Sequence, residues 1–350
     1  MVKQLAFAVP GDLATPTGGY AYDRRIIEEL RGLDWTVDIL NLGANFPWAD
    51  EPTRVAAQTK LLSILDGSSV VVDGLALGVL PEAARRLRSS HTLVALVHHP
   101  LALETGLTPA QADILRRSEQ AALAAAKHVI VTSPATAKLL STEYDVAADK
   151  ITTVRPGNEP APFAPGSQDG VVRLLSVGAL VPRKGFDVLI AALATLENLA
   201  WHLTIAGDRS RDPATAARIE ADVARYGLSD RVALLGALPS ERLSQLYSEA
   251  DLFVLASHYE GYGMAYAEAI AHGLPVIGTT AGAIPDTVPQ GAGVLVAPND
   301  VGALALALHR LIKNAGERQR MAEAARAAAR QLPTWREQAQ LFAGVLERLA

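Results

Sequence analysis

The 350-residue chain contains no cysteine, which excludes disulfides, thiolate nucleophiles and cysteine-ligated metals and fits a reducing compartment. Aromatic residues make up only 5% of it, yet hydrophobic residues reach 49%, so alanine, leucine and valine fill the deficit and disorder is not supported. No apolar run approaches the roughly 18 residues a membrane span needs. The opening MVKQLAFAVPGD lacks the long apolar stretch of a secretory leader. The expectation is a cytoplasmic protein without a membrane span, with peripheral association left open. Excess positive charge is also missing. A formal charge of −5 and a pI of about 5.9 provide no diffuse basic field, so no nucleic-acid partner is expected.

What the chain does have is a regular alternation of short β-branched runs and longer amphipathic segments, the pattern of βα units feeding a parallel sheet covered on both faces. The first half predicts strands at Gln4–Val9, Trp35–Leu40, Val70–Val72, Leu93–Val97 and Val129–Thr132, with helices at Asp23–Arg31, Pro81–Arg88 and Ala110–Ala126. Proline and glycine then crowd Arg155–Gly170, which reads as a linker. The alternation restarts with strands expected at Val172–Val177, Trp201–Ala206, Val232–Leu235, Leu252–Leu255, Val276–Gly278 and Val294–Val296. The predicted fold is α/β: two Rossmann-like doubly wound domains, residues 1–160 and 161–333, and a C-terminal helix at 334–350 whose placement the sequence leaves open. Ligands of such sheets bind outside the strand carboxyl ends, so an active site is expected in a cleft between the two domains.

The segment SHYEGYGMAYAEAIAHGLPVIGT, Ser257–Thr279, runs from a strand end through a glycine turn into a helix beginning near Tyr262 or Gly263. Glu260 lies in the turn, and Glu268 lies inside a helix otherwise made of Ala, Met, Ile and Tyr. A carboxylate in so apolar a setting needs a polar ligand or a paired basic side chain. Gly261 and Gly263 let backbone N–H groups approach whatever occupies the helix start. Upstream, VGALVPRKGFDVLIAAL places Arg183 and Lys184 just before another helix. A guanidinium fork, an ammonium and a helix start form an anion site suited to a diphosphate, unless the pair is merely a solvated loop.

The run Glu260-Gly-Tyr-Gly-Met-Ala-Tyr-Ala-Glu268 followed by Ala-Ile-Ala-His-Gly-Leu-Pro-Val resembles the Glu-x7-Glu signature of retaining glycosyltransferases of family 4, which have the GT-B fold. The resemblance implies that Glu268 holds the ribose hydroxyls of a nucleotide-sugar donor and Glu260 the donor sugar hydroxyls. Backbone amides over Gly261, Tyr262, Gly263 and Met264 would contact sugar and phosphate. It implies the same diphosphate role for Arg183 and Lys184, and it places Gly207-Asp208 near the nucleotide and Leu238 in the segment beside the base. In the first half, Gly18-Gly19 would let backbone approach the phosphates. Either His98 or His99, at the end of a strand, would contact the donor sugar; alternatively these are an ordinary turn and a packed histidine.

The expected reaction is retaining transfer of a sugar, with UDP as the expected carrier, to the hydroxyl of an unidentified sugar, small-metabolite or lipid acceptor. The donor is substrate and not cofactor, and with no Asp-x-Asp motif in a site position no divalent metal is expected. Many family members carry Gly-Gly-x-x-Glu where this chain has Ala281-Gly282-Ala-Ile-Pro-Asp286. Two alternatives share the donor site: an epimerase or hydrolase of the same fold, and a nucleotide-sugar sensor without turnover. A dehydrogenase is the weakest option because no G-x-G-x-x-G stands at the first turn.

Overall fold

A parallel sheet buries its strands on both faces and so needs continuous apolar runs; VVV at 70–72, LVALV at 93–97 and LFV at 252–254 supply them. The computed structural model describes residues 3–167 and 169–349. It divides into two units, one formed by Met1–Gly157 with Pro333–Ala350, the other by Asn158–Leu332.

The first unit holds β1 (Lys3–Val9), β2 (Trp35–Asn41), β3 (Ser69–Asp73), β4 (Thr92–Val97), β5 (His128–Val131) and β6 (Ile151–Thr153). They form one parallel sheet in the order β2-β1-β3-β4-β5-β6. Five of these strands lie where the apolar runs predict them. The sixth, Ile-Thr-Thr, is half-buried and too short to show a periodicity. The helix Gly18–Arg31 buries Tyr22, Asp23, Ile26, Ile27 and Leu30, a stripe at helical spacing that includes one carboxylate. The C-terminal helix Trp335–Leu349 packs on this unit: Phe342 stacks on Phe7 with ring centroids 6.4 Å apart, and Trp335 meets Tyr22 edge-on at 5.9 Å. Gly157 lies directly against the returning chain, since a Cβ there would come within 2.2 Å of the Trp335 amide nitrogen.

The second unit holds β7 (Val172–Val177), β8 (Trp201–Ala206), β9 (Val232–Leu234), β10 (Leu252–Val254), β11 (Val276–Thr279) and β12 (Gly293–Val296), again one parallel sheet, in the order β12-β11-β10-β7-β8-β9. Both sheets reverse the direction of their strand order once, between β1 and β3 in the first and between β7 and β10 in the second. In open α/β sheets, ligands collect beyond the strand carboxyl ends at such reversals.

Candidate functional site

In the second unit, the loops following β7 and β10 flank the reversal, and they carry the three most polar predicted residues. Arg183 and Lys184 lie in a 3-10 turn, Pro182–Lys184, closed by Gly185 in the left-handed conformation at φ 62°. A Cβ at Gly185 would come within 2.1 Å of the Ala256 carbonyl oxygen, so glycine lets the two loops touch. Two further bonds lock them: the His258 N–H donates to the Arg183 carbonyl at 2.8 Å, and Arg183 Nη1 donates to the Tyr259 carbonyl at 2.8 Å. The stem of Lys184 runs over Gly178, whose missing side chain leaves room for it.

Both cations converge on Glu260. Lys184 Nζ lies 2.6 Å from Oε1 and Arg183 Nη1 3.2 Å from Oε2, while the buried Ser257 hydroxyl donates to Oε1 at 2.7 Å. Burial by itself would raise the Glu260 carboxyl, but Lys184, Arg183 and Ser257 outweigh it and hold it down at about 2. The site is therefore anchored by an ionised carboxylate between two cations. The Glu260 backbone is equally fixed: its carbonyl accepts from the Ala283 N–H at 2.9 Å, and a Cβ at Gly282 would come within 2.3 Å of the same oxygen.

The helix that follows spans Met264–Ala271, capped by Gly263 at φ 91°, one to two residues later than the sequence suggests. Tyr262 is buried and Gly261 and Met264 are half-buried in this turn. Glu268 is half-buried on the helix, and among the described residues its hydrogen-bond partner is a phenol, not a basic side chain: Tyr247 donates to Oε2 at 2.8 Å. Burial raises the Glu268 carboxyl above its ordinary value, and Tyr247 and Lys184 offset part of that rise. Tyr247 is in turn stacked on His272 with centroids 4.9 Å apart. At the end of β8, the Gly207 N–H donates to the Gly236 carbonyl at 2.8 Å, joining the two turns singled out in the sequence, and Gly207 lies against the Gly178 backbone. Asp208 caps its own turn through the Ser210 N–H and hydroxyl, and Leu238 packs half-buried on the core. Arg183, Lys184, Glu260 and Glu268 are thus neighbours within this unit, with Gly207 next to the loop that carries the cations.

The remaining predicted residues belong to the first unit. Gly18 and Gly19 open the helix Gly18–Arg31, whose Thr17 cap accepts from the Tyr20 N–H at 3.2 Å. Gly19 seats a histidine: a Cβ there would lie 3.3 Å from the His98 ring. His98 and His99 part company at the end of β4. His99 Nε2 lies 3.5 Å from Glu104, whereas His98 Nε2 lies 3.1 Å from Asp23 Oδ1 and 3.5 Å from Asp73 Oδ2. The Asp23 separation is a hydrogen bond and the Asp73 separation an ion-pair distance, so the imidazole nitrogen lies between two carboxylates.

Sequence reading missed Asp23, Asp73, Tyr247 and Ser257. Asp23 had a visible signal, since it shares the apolar stripe of Ile26, Ile27 and Leu30, the same anomaly that drew attention to Glu268.

Residues 158–328 match the family model described as "Glycosyl transferases group 1". Among curated proteins, the chain is 30% identical over 238 residues to the mannosylfructose-phosphate synthase of Agrobacterium fabrum, a match covering 63% of this chain and 52% of that protein. It is also 30% identical over 231 residues to the D-inositol 3-phosphate glycosyltransferase of Mycolicibacterium smegmatis, covering 62% and 51%. The chain thus spans about half the length of these curated relatives. Among solved structures, sucrose-phosphate synthase from Thermosynechococcus elongatus superposes with a TM-score of 0.83 at 23% identity over 99% of both chains. HepE of Anabaena, solved with UDP and glucose, superposes with a TM-score of 0.75 at 20% identity, covering 97% of this chain and 99% of that one. The fold is therefore GT-B, and the C-terminal unit of this chain belongs to the glycosyl transferases group 1 family.

Proposed function

We propose that this protein is a retaining glycosyltransferase that moves a sugar from a nucleoside diphosphate carrier, UDP being the first candidate, to an acceptor hydroxyl. The observation that carries this reading is the convergence of Arg183 and Lys184 on Glu260 beside the strand-order reversal of the second unit. In the reaction the bond between the anomeric carbon and the diphosphate oxygen breaks, leaving negative charge on the diphosphate. The acceptor oxygen bonds the same carbon and gives up its proton, and the new bond keeps the configuration of the old one. Fixed donors placed where charge develops stabilise such a leaving group. Arg183 and Lys184 serve that role, Glu260 holds both cations and receives donor sugar hydroxyls, and Glu268, positioned by Tyr247, receives ribose hydroxyls. The HepE structure solved with UDP and glucose favours the same donor class. No side chain in this scheme requires a divalent metal, so activity should survive a chelator; loss with EDTA and recovery with magnesium or manganese would refute that part.

The first test is thermal stability of the purified protein with UDP, ADP and GDP and their sugar conjugates, because native-state binding raises stability by mass action. One nucleotide should raise the melting temperature, and Lys184→Ala and Glu268→Ala should each diminish the rise. A folded protein that responds to none of them contradicts the proposal. Free sugar or an epimer formed with no acceptor product would favour a hydrolase or epimerase instead.

A further inference from the structure

We propose that Asp23 and Asp73 hold His98 as an imidazolium, so that the first unit carries a fixed positive charge at the end of β4 and His98 meets a substrate oxygen as a charged hydrogen-bond donor, not as a proton acceptor. That His98 meets substrate rests on the glycosyl-transfer reading; the charge state rests on the cluster alone.

Three elements build the cluster: the helix Gly18–Arg31 brings Asp23, β3 ends in Asp73, and β4 is followed by His98. Asp23 is 0% exposed and Asp73 2%, and one carboxylate oxygen of each lies with His98 Nε2 inside a span of 4.8 Å. Two ionised carboxylates that close and that buried repel strongly unless a cation stands between them. His98 is the only cation available among the described residues, since no Lys or Arg ion-pairs with either aspartate. A neutral imidazole could give its one N–H to the pair but would leave the charge uncompensated. Asp23 Oδ2 is buried with no donor of its own, so the whole compensation of Asp23 passes through Oδ1 to the ring.

The other faces of His98 add no opposing charge. Tyr22 meets the ring edge-on at 5.3 Å with its hydroxyl committed to the Val154 carbonyl at 3.0 Å; Gly19 has no side chain; and Thr132 donates to the His98 carbonyl. Asp73 Oδ1 accepts from the Leu75 N–H at 2.7 Å, which leaves Oδ2 to face the ring. Burial disfavours the imidazolium, but Asp23 and Asp73 outweigh it and raise His98 to about 10. Burial likewise raises Asp23, so the cluster binds protons more tightly than its parts. A histidine held this way cannot accept the acceptor hydroxyl proton near neutral pH, and that proton must leave by another route.

The experiment is nitrogen-15 NMR of histidine-labelled protein from pH 6 to 9, with His98 assigned by its loss in His98→Gln. Both His98 ring nitrogens should show imidazolium shifts throughout. Asp73→Asn or Asp23→Asn should lower the His98 midpoint by at least a unit, a roughly tenfold loss of the proton's affinity. A neutral His98 at pH 7.5 in the wild-type protein overturns the proposal, as does stoichiometric Co2+ uptake that Asp73→Asn abolishes. If the aspartate variants fail to fold, the wild-type spectrum still decides. None of these readouts needs turnover, so failure of the glycosyl-transfer reading would be recognised separately, by the absence of nucleotide binding.

Discussion

The phenol of Tyr247 donates to the carboxylate of Glu268 across 2.8 Å, joining a helix that precedes β10 to the one that follows it. This single bond gives the half-buried carboxylate a fixed direction. Tyr247→Phe keeps the ring and its stacking on His272 and deletes only the donor. A hydrogen bond to a charged group is worth about 1.5–3 kcal/mol, so nucleotide affinity should fall roughly ten- to 150-fold by calorimetry with little change in fold. Unchanged affinity would show that Tyr247 does not position the nucleotide contact.

The pairing of Lys184 with Glu260 makes a pH-dependent prediction. Glu260 is depressed in the folded state, so it contributes stability that is present above the ordinary carboxylate value of 4.5 and is lost as pH falls toward about 2. Lys184→Met removes one of the cations responsible. The melting-temperature deficit of this variant should be greatest above pH 5 and shrink toward pH 3. A deficit that is constant with pH would show that Lys184 acts by packing and not by charge.

Glu119 has the opposite sign. It is 1% exposed, accepts from the Leu101 N–H at 2.9 Å, and burial raises it to about 8. A carboxyl raised on folding retains a proton that the unfolded chain releases, so its stability contribution is intact below 4.5 and disappears as pH rises through 8. Glu119→Gln keeps an acceptor for Leu101 and cannot ionise. Wild type and variant should melt alike at pH 5, and the variant should melt several degrees higher at pH 8.5; equal melting at both values would contradict a buried neutral acid.

Gly185 and Gly227 have similar backbone angles, φ 62° and 68°, but a Cβ added at Gly185 would come within 2.1 Å of the Ala256 oxygen, whereas one added at Gly227 would meet nothing within 4 Å. Alanine at either position carries left-handed strain of about 1–3 kcal/mol. Gly185→Ala should lose more, and should lose nucleotide binding too, because it separates the loops that align Arg183 with Glu260. Equal losses measured by denaturant unfolding would mean that the loops adjust independently.

Much of the fold was legible because parallel strands advertise themselves as apolar runs: β7 and β8 have the predicted limits, and most others differ by a residue or two. β6 escaped because three half-buried residues carry no pattern. The cation pair and both glutamates were legible because charge beside glycine or inside an apolar helix is anomalous within one stretch of sequence. Partners were not. Tyr247 is 21 residues from Glu268 and Asp23 is 75 from His98, and only the sheet order brings them together. The different surroundings of His98 and His99 likewise follow from which neighbours the strand end meets.

The helix Trp335–Leu349 returns to the first unit and crosses Gly157, where the chain first leaves it. The second unit is thus an insertion whose two stems meet at one point, held shut by the contacts of Trp335 with Tyr22 and Phe342 with Phe7. A protease that cuts once within the proline-rich stretch after Gly157 would therefore release neither unit: the downstream fragment keeps a helical clasp on the upstream one, and the two should co-elute until denaturant opens it.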